Sequence, residues 1–266
     1  MASSKPPQPF VVITHKRCQT TAAPFTHVNI ILFRPAEVEL PLSRCDPRAV
    51  HILGVLRRRP GDIFDAGLIN GPRGKGSLIA IGEDSLTLAF NWSESPPPLC
   101  PIHLLIGLPR PQTARVILRE ATSLGVAAMH FVCTEKGESS YARSTLWKSK
   151  EWERCVINGA TQAFCTRLPD ITHGRSLAEA IACLPAGTVR FALDNYEAPT
   201  RLSECALDGS KPVVLALGSE RGWSADERTY LRKTGFAFVH LGSRVLRTET
   251  ACIAAVTLLK ARLGLL

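Results

Sequence analysis

The apolar residues of this chain come as short runs over its first third, then as strand-length and helix-length segments in turn over the rest. Val28 to Phe33 is an apolar run. Ile63 to Ala66, Ser77 to Ile81 and Leu86 to Phe90 read as short strands bounded by turn residues. Asp46 ahead of Pro47 predicts a helix start, with the aspartate as N-cap and the proline at the first helical position, where its missing N–H costs nothing. Arg57-Arg58-Arg59-Pro60-Gly61-Asp62 predicts a turn, and Asn70 to Gly76 predicts a basic, glycine-rich hairpin loop. Short strands punctuated in this way imply a small barrel.

Ser95-Pro96-Pro97-Pro98 is a stiff linker, and the pattern changes after it. Ile102 to Gly107 reads as a buried strand. Gln112 to Leu124 has helical spacing and is stopped by Gly125, and Val126 to Cys133 is the next strand. Strand, helix and strand in about thirty residues form a βαβ unit, so the sheet should be parallel. Glu135 to Lys150 is polar and reads as a long functional loop. Glu151 to Ala163 and Leu177 to Leu184 read as helices, and Val189 to Leu193 as a strand.

Val213 to Leu217 then opens at Gly218 into a loop. Ser224-Ala225-Asp226-Glu227 has the spacing of a capping box, so Ser224 and Glu227 read as structural, and Gly235 ends the short polar helix they start. Phe236 to Leu241 opens at Gly242 into a basic loop, Ser243 to Thr250, and a largely apolar helix, Ala251 to Leu263, follows. Thr248 or Thr250 is placed to cap that helix. The expected organisation is a flexible extension over residues 1–27, a small barrel over 28–95, a proline-rich linker over 96–101 and an α/β domain over 102–266.

Composition sharpens this picture in three places. A formal charge of +9 and a pI near 9.3 favour a polyanionic partner, and nucleic acid is the commonest one. Arg57, Arg58, Arg59, Arg73 and Lys75 would give the barrel a positive face, although a charge run is usually just a solvated surface. The nine cysteines form no C-x-x-C and no zinc-finger spacing, and they read as buried free thiols in a reducing compartment. No run is long enough to span a membrane, so a cytoplasmic protein with no membrane partner is expected. Residues 1–27 carry three basic residues and no acid, so a transit peptide and an organellar location stand as the alternative.

Several chemistries are poorly supported. No G-x-G-x-x-G follows a strand, which weighs against a nucleotide-dependent oxidoreductase, and there is no G-x-S-x-G elbow and no H-E-x-x-H metal site. Gly74-Lys75 lacks the remaining residues of a phosphate-binding P-loop. What remains is a pair of strands that each end in a glycine loop. Loops at the carboxyl ends of parallel strands are where such sheets bind ligands, and glycine lets backbone approach a ligand closely.

Those two loops carry a resemblance. Leu217-Gly218-Ser219-Glu220-Arg221-Gly222-Trp223-Ser224-Ala225-Asp226-Glu227 is similar to I-G-P-E-G-G-F-S-x-x-E. Leu241-Gly242-Ser243-Arg244-Val245-Leu246-Arg247-Thr248-Glu249-Thr250-Ala251 is similar to L-G-x-R-I-L-R-T-E-T-A. Both are signatures of the RsmE family of 16S rRNA (uracil-N3) methyltransferases in the SPOUT superfamily. His51 to Arg57 with Pro60-Gly61-Asp62, Ala121 to Val126, and Ala160-Thr161-Gln162 extend the resemblance along the chain. Ser219 and Arg221 depart from the family's proline and glycine, Glu120 from its lysine, and Ser123 and Thr161 from its glutamates.

The resemblance implies an amino-terminal PUA-like barrel that helps to hold RNA, and a carboxyl-terminal parallel-sheet α/β domain with a deep trefoil knot. Knots are rare exceptions to chain topology, and spacing alone does not suggest one. It implies S-adenosylmethionine (AdoMet) as cofactor, framed by Leu217, Gly218, Leu241, Gly242, Val245 and Leu246, with Thr250 beside them. It implies small-subunit ribosomal RNA, naked or in the assembled subunit, as partner, and a homodimer with the site near its interface. Arg244 and Arg247 are the candidates for holding phosphate or uracil oxygens, since a guanidinium is a fork of donors. Glu220 and Glu249 are the candidate bases for the uracil N3 proton. Arg57, Arg58, Arg73 and Lys75 are the candidate RNA contacts of the barrel. The competing reading is a catalytically inactive SPOUT-type RNA-binding or ribosome-assembly factor.

Overall fold

The computed structural model describes residues 29–266, so the extension expected over residues 1–27 lies outside it. The amino-terminal part is a five-stranded sheet with strand order β1-β3-β4-β5-β2. Its strands are β1 (Ile31–Phe33), β2 (Leu42–Ser43), β3 (Ile63–Leu68), β4 (Arg73–Ile81) and β5 (Ser85–Glu94). β1 and β3 run parallel, and the other neighbours are antiparallel. Helix α1 (Pro47–Val50) starts as its sequence predicts: the Asp46 side chain accepts the Arg48 N–H at 2.8 Å, and Pro47 occupies the first turn. Phe33, Ile52, Leu78 and Leu86 fill the core of this unit.

Arg73 to Gly76 is not the hairpin loop that its glycines suggest. These residues form the start of β4, paired against Phe64 to Gly67 and Phe90 to Glu94, and the turn falls before Arg73. Glycine is required there for packing rather than for bending. A Cβ at Gly74 would stand 2.0 Å from the Asn91 carbonyl oxygen, and one at Gly76 would stand 2.4 Å from the Phe64 ring.

The carboxyl-terminal part is a seven-stranded sheet, order β10-β12-β9-β11-β6-β7-β8, in which every neighbouring pair is parallel. Its strands are β6 (Cys100–Gly107), β7 (Val126–Cys133), β8 (Asp170–Ser176), β9 (Val189–Leu193), β10 (Thr200–Arg201), β11 (Val213–Leu217) and β12 (Ala237–His240). The helices are α2 (Pro111–Ser123), α3 (Thr145–Lys148), α4 (Glu151–Gln162), α5 (Leu177–Ala182), α6 (Ala225–Lys233) and α7 (Thr248–Arg262). Alternate side chains of β6 and β11 feed two cores. Ile102, Leu104, Val213 and Leu215 meet α2, α4 and α7 on one face, while Leu105, Val214 and Ala216 meet α5 and α6 on the other. A sheet covered on both faces needs uninterrupted apolar strands, which is why β11 reads Val-Val-Leu-Ala-Leu and is buried throughout.

Some expectations need correction. Glu135 to Lys150 is not a plain loop: it holds a 3-10 turn over Ser139–Arg143 and then α3, whose Leu146 and Trp147 are buried. β8 has Ile171 as its one apolar side chain among polar residues that include His173 and Arg175, and β10 has two residues, so neither shows as an apolar run. The cysteines are free among the described residues, but only Cys252 is buried, while Cys45, Cys133 and Cys183 are exposed. α7 starts at Thr248, so Thr248 to Thr250 belong to the helix and not to the loop before it. No helix among the described residues is long and apolar enough to cross a membrane.

Candidate active site

β11 and β12 both pair with β9, which brings three carboxyl-terminal loops together. They enclose a cleft of about 170 Å³. Leu193, Leu217, Gly218, Leu241, Leu246 and Ala251 line it as buried or half-buried residues. Tyr196, Glu220, Arg221, Arg244 and Val245 line it as exposed ones.

The loop after β11 is tight. The Gly222 N–H donates to the Ser219 carbonyl at 2.8 Å, and Gly222 takes φ +66°, a conformation that suits glycine. A Cβ on Gly218 would stand 2.8 Å from the Gly222 Cα, and one on Gly107 would stand 2.6 Å from the Ser219 nitrogen. Glycine at 218 and 107 is therefore a condition for the loop folding against β6. The Ser219 Oγ is buried in this turn with no hydrogen-bond partner among the described residues. Glu220 accepts the Arg110 N–H at 2.9 Å and so caps the start of α2.

The loop after β12 starts at Gly242, which has φ +119° and donates its N–H to His240 Nδ1 at 3.1 Å. Arg247 occupies the N-cap position of α7 with no side-chain cap bond, so neither Thr248 nor Thr250 caps the helix. Glu249 lies in the first turn, where a carboxylate suits the helix dipole. Ser224 and Glu227 do form the expected capping box: Glu227 N–H donates to Ser224 Oγ at 3.1 Å, and Ser224 N–H donates to Glu227 Oε2 at 2.8 Å. The other Glu227 oxygen accepts the Glu135 N–H at 2.9 Å, tying α6 to the end of β7.

Of the residues singled out from the sequence, Leu217, Gly218, Leu241, Val245 and Leu246 line the cleft together with Glu220 and Arg244. Gly242, Arg247, Glu249 and Thr250 flank it in the same loop and helix start without lining it. Among the described residues, no carboxylate pairs with Arg221, Arg244 or Arg247. The candidate RNA contacts of the amino-terminal part do not line the cleft and differ in their partners. Arg73 pairs with Glu94 at 2.6 Å and lies over the Phe164 ring, and Lys75 pairs with Asp65 at 2.6 Å. Arg57 is exposed with φ +52°, and the Arg58 Nε is buried without a partner among the described residues.

Sequence reasoning missed the third loop, Asp194 to Glu197. Asp194 Oδ1 accepts the N–H groups of Tyr196 at 2.8 Å and Glu197 at 2.7 Å. Its Oδ2 accepts from Arg228 Nε at 2.7 Å, and both side chains of that pair are almost fully buried. Trp223 Nε1 donates to the Leu193 carbonyl at 3.2 Å, which fastens the same strand end to the loop after β11. The available signal was position: Asp194 directly follows an apolar strand at its carboxyl end, the same place that drew attention to Gly218 and Gly242.

Comparison with known proteins gives the following. Residues 95–260 match the RNA methyltransferase domain family. The chain is 39% identical over 237 residues to the ribosomal RNA small subunit methyltransferase E of Treponema pallidum, covering 86% of this chain and 89% of that protein. It is 28% identical over 236 residues to ribosomal RNA small subunit methyltransferase E 1 of Borreliella burgdorferi, covering 86% and 95%. Its fold is similar, at TM-score 0.69 and 22% identity, to the Neisseria gonorrhoeae ribosomal RNA small subunit methyltransferase E bound to S-adenosyl methionine, covering 89% of this chain and 98% of that one.

Proposed function

The chain belongs to the ribosomal RNA small subunit methyltransferase E (RsmE) family of RNA methyltransferases, and on that premise we propose that it methylates N3 of a uridine in small-subunit ribosomal RNA with AdoMet as methyl donor. The observation that carries the reading is the cleft at the ends of β9, β11 and β12, where both signature loops meet. Its lining fits that cofactor. Apolar Leu217, Leu241 and Leu246 suit an adenine ring, the glycine-bearing loops bring backbone donors and acceptors close, and the buried Ser219 Oγ still has a hydrogen bond to make. AdoMet bound there supplies an electrophilic methyl group.

The residues of the chain have the remaining work. Neutral uracil N3–H is a weak nucleophile, so its proton must leave and the charge on the ring must be held. Arg244, exposed on the cleft with no acidic partner among the described residues, offers its donor fork to a uracil oxygen or to a phosphate. Arg247, at the N-cap of α7, serves the same anion from the flank. Glu220 lines the cleft. Its Oε1 is committed to the Arg110 N–H, leaving Oε2 to receive the proton. Glu249 is then a dipole partner of α7. Holding N3 in line with the methyl group accounts for much of the rate, since alignment replaces a bimolecular encounter.

The same reading extends to the fold, domains and assembly: a PUA-like barrel over 28–95, a linker over 96–101, a knotted SPOUT domain over 102–266, a homodimer, and a cytoplasmic setting. The mixed five-stranded sheet and the all-parallel seven-stranded sheet support the two-part division. The test is calorimetry for AdoMet binding, followed by transfer of labelled methyl from AdoMet to purified small subunits and to naked small-subunit RNA. Binding with transfer to either substrate supports the proposal. Binding without transfer to both favours an inactive RNA-binding factor.

A further inference from the structure

Two large apolar side chains are exposed further than any others among the described residues, Tyr196 and Val245, each at 81%. Both line the same cleft. An exposed aromatic at a ligand cleft has one ready use, because every nucleobase has a flat face that stacks on it. We propose that Tyr196 is the stacking platform for the target pyrimidine of the RNA, with Val245 as the apolar contact beside it. This rests on the methyl-transfer reading given above and adds to it the seat of the substrate base.

Three observations carry it. First, the backbone that carries Tyr196 is held rather than loose. Its own N–H and that of Glu197 are bonded to Asp194 Oδ1, and Asp194 is itself fixed by the buried Arg228. Glu197 is held in turn by Arg232. Second, the Arg228 guanidinium lies over the Tyr196 ring at 5.4 Å from its centroid, so a cation backs the ring while most of its surface stays open to solvent. Third, the buried and half-buried part of the cleft is made by Leu217, Gly218 and Leu246, whereas Tyr196 and Val245 stand among the exposed residues at its mouth. A polynucleotide reaches the site from the mouth.

The chemistry asks for such a platform. N3 of uracil is on the base-pairing edge, so the reacting base must be unpaired and taken out of its stack. An extruded base loses its neighbours, and an aromatic side chain restores one of them.

The test compares wild-type protein with Tyr196→Ala and Tyr196→Phe in three measurements: AdoMet affinity by calorimetry, steady-state methylation of small-subunit RNA, and thermal unfolding. The expected result for Tyr196→Ala is a KM for RNA raised by roughly tenfold, as stacking losses of this kind give, with AdoMet affinity and unfolding temperature unchanged. Tyr196→Phe, which keeps the ring, should restore the wild-type KM. An unchanged KM in Tyr196→Ala overturns the inference. So does weakened AdoMet binding in that variant, which would make Tyr196 a cofactor contact. Absence of transfer by the wild-type protein would instead count against the methyl-transfer reading, so the two failures are distinguishable.

Discussion

Arg73 and Lys75 on β4 each meet a carboxylate at 2.6 Å, whereas Arg221, Arg244 and Arg247 around the cleft meet none among the described residues. Each residue of either set adds one unit toward the charge of +9. In the first set the charge is already spent on the sheet, since Glu94 faces Arg73 across β5 and Asp65 faces Lys75 across β3. In the second the charge is free for an outside anion. A polyanion gains most from cations that have no internal partner to give up, so the cleft is the stronger candidate for phosphate or uracil oxygens. The Asp194–Arg228 pair is a third case: buried, it orders a loop.

The variant with the largest expected effect tests that third case. Asp194→Ala leaves Arg228 buried beside a more distant Glu197 at 3.6 Å, and should cost about 3–5 kcal/mol in denaturant unfolding, the scale of a broken buried pair. A loss under about 1 kcal/mol would mean that the pair is well solvated, as surface pairs are. Next, Arg244→Ala should lower turnover by roughly a hundredfold or more, the scale of losing one charge-stabilising donor, while calorimetry finds AdoMet affinity unchanged. An undiminished turnover would remove Arg244 from the mechanism. Gly218→Ala places a methyl group against the Gly222 backbone and should cost about 1–3 kcal/mol through overpacking, together with weakened AdoMet binding.

The paired set should respond less. Arg73→Ala combined with Lys75→Ala should cost about 1 kcal/mol per partly exposed pair in unfolding, and should raise the KM for RNA less than Arg244→Ala does. The reverse order would relocate the main RNA contact to the amino-terminal sheet. The smallest effect concerns acid. Arg48 hydrogen-bonds Glu37 and Asp46 and holds both carboxyls below their ordinary values. Groups with lowered folded-state values stabilise the fold above their unfolded values, here above about pH 4.5 for glutamate. That contribution is lost as the pH falls through the lower folded-state values. Amide exchange should therefore loosen around α1 on acidification, and Arg48→Met should remove that dependence.

Much of this was legible in the sequence, for identifiable reasons. β6, β7, β9 and β11 are covered on both faces, so β11 is a continuous apolar run and the other three are apolar but for one residue each, His103, His130 and Arg190, and all four stand out from their flanks. Asp46, Ser224 and Gly235 do local jobs that three or four residues define, and the folded chain uses each of them as its spacing predicts. β8 was not legible, because an edge strand bearing His173 and Arg175 carries no apolar run. Arg73 to Gly76 misled because glycine serves close packing as well as turns, and only the neighbouring Asn91 and Phe64 decide between them. The site divides in the same way. Gly218 and Gly242 announce themselves by ending strands. Asp194 does not, because its partner Arg228 is distant in sequence and its hydrogen bonds are invisible until the loop is folded.

Under the proposed function, the cleft holds a uridine of small-subunit ribosomal RNA for methylation at N3. The direct test is nucleoside mass spectrometry of unmethylated small subunits incubated with AdoMet and either wild-type protein or Arg244→Ala. One N3-methyluridine per RNA with the wild type, and a rate lowered roughly a hundredfold in the variant, is the predicted result. A methyl group found on another atom, or none transferred by a wild-type protein that binds AdoMet, would contradict it.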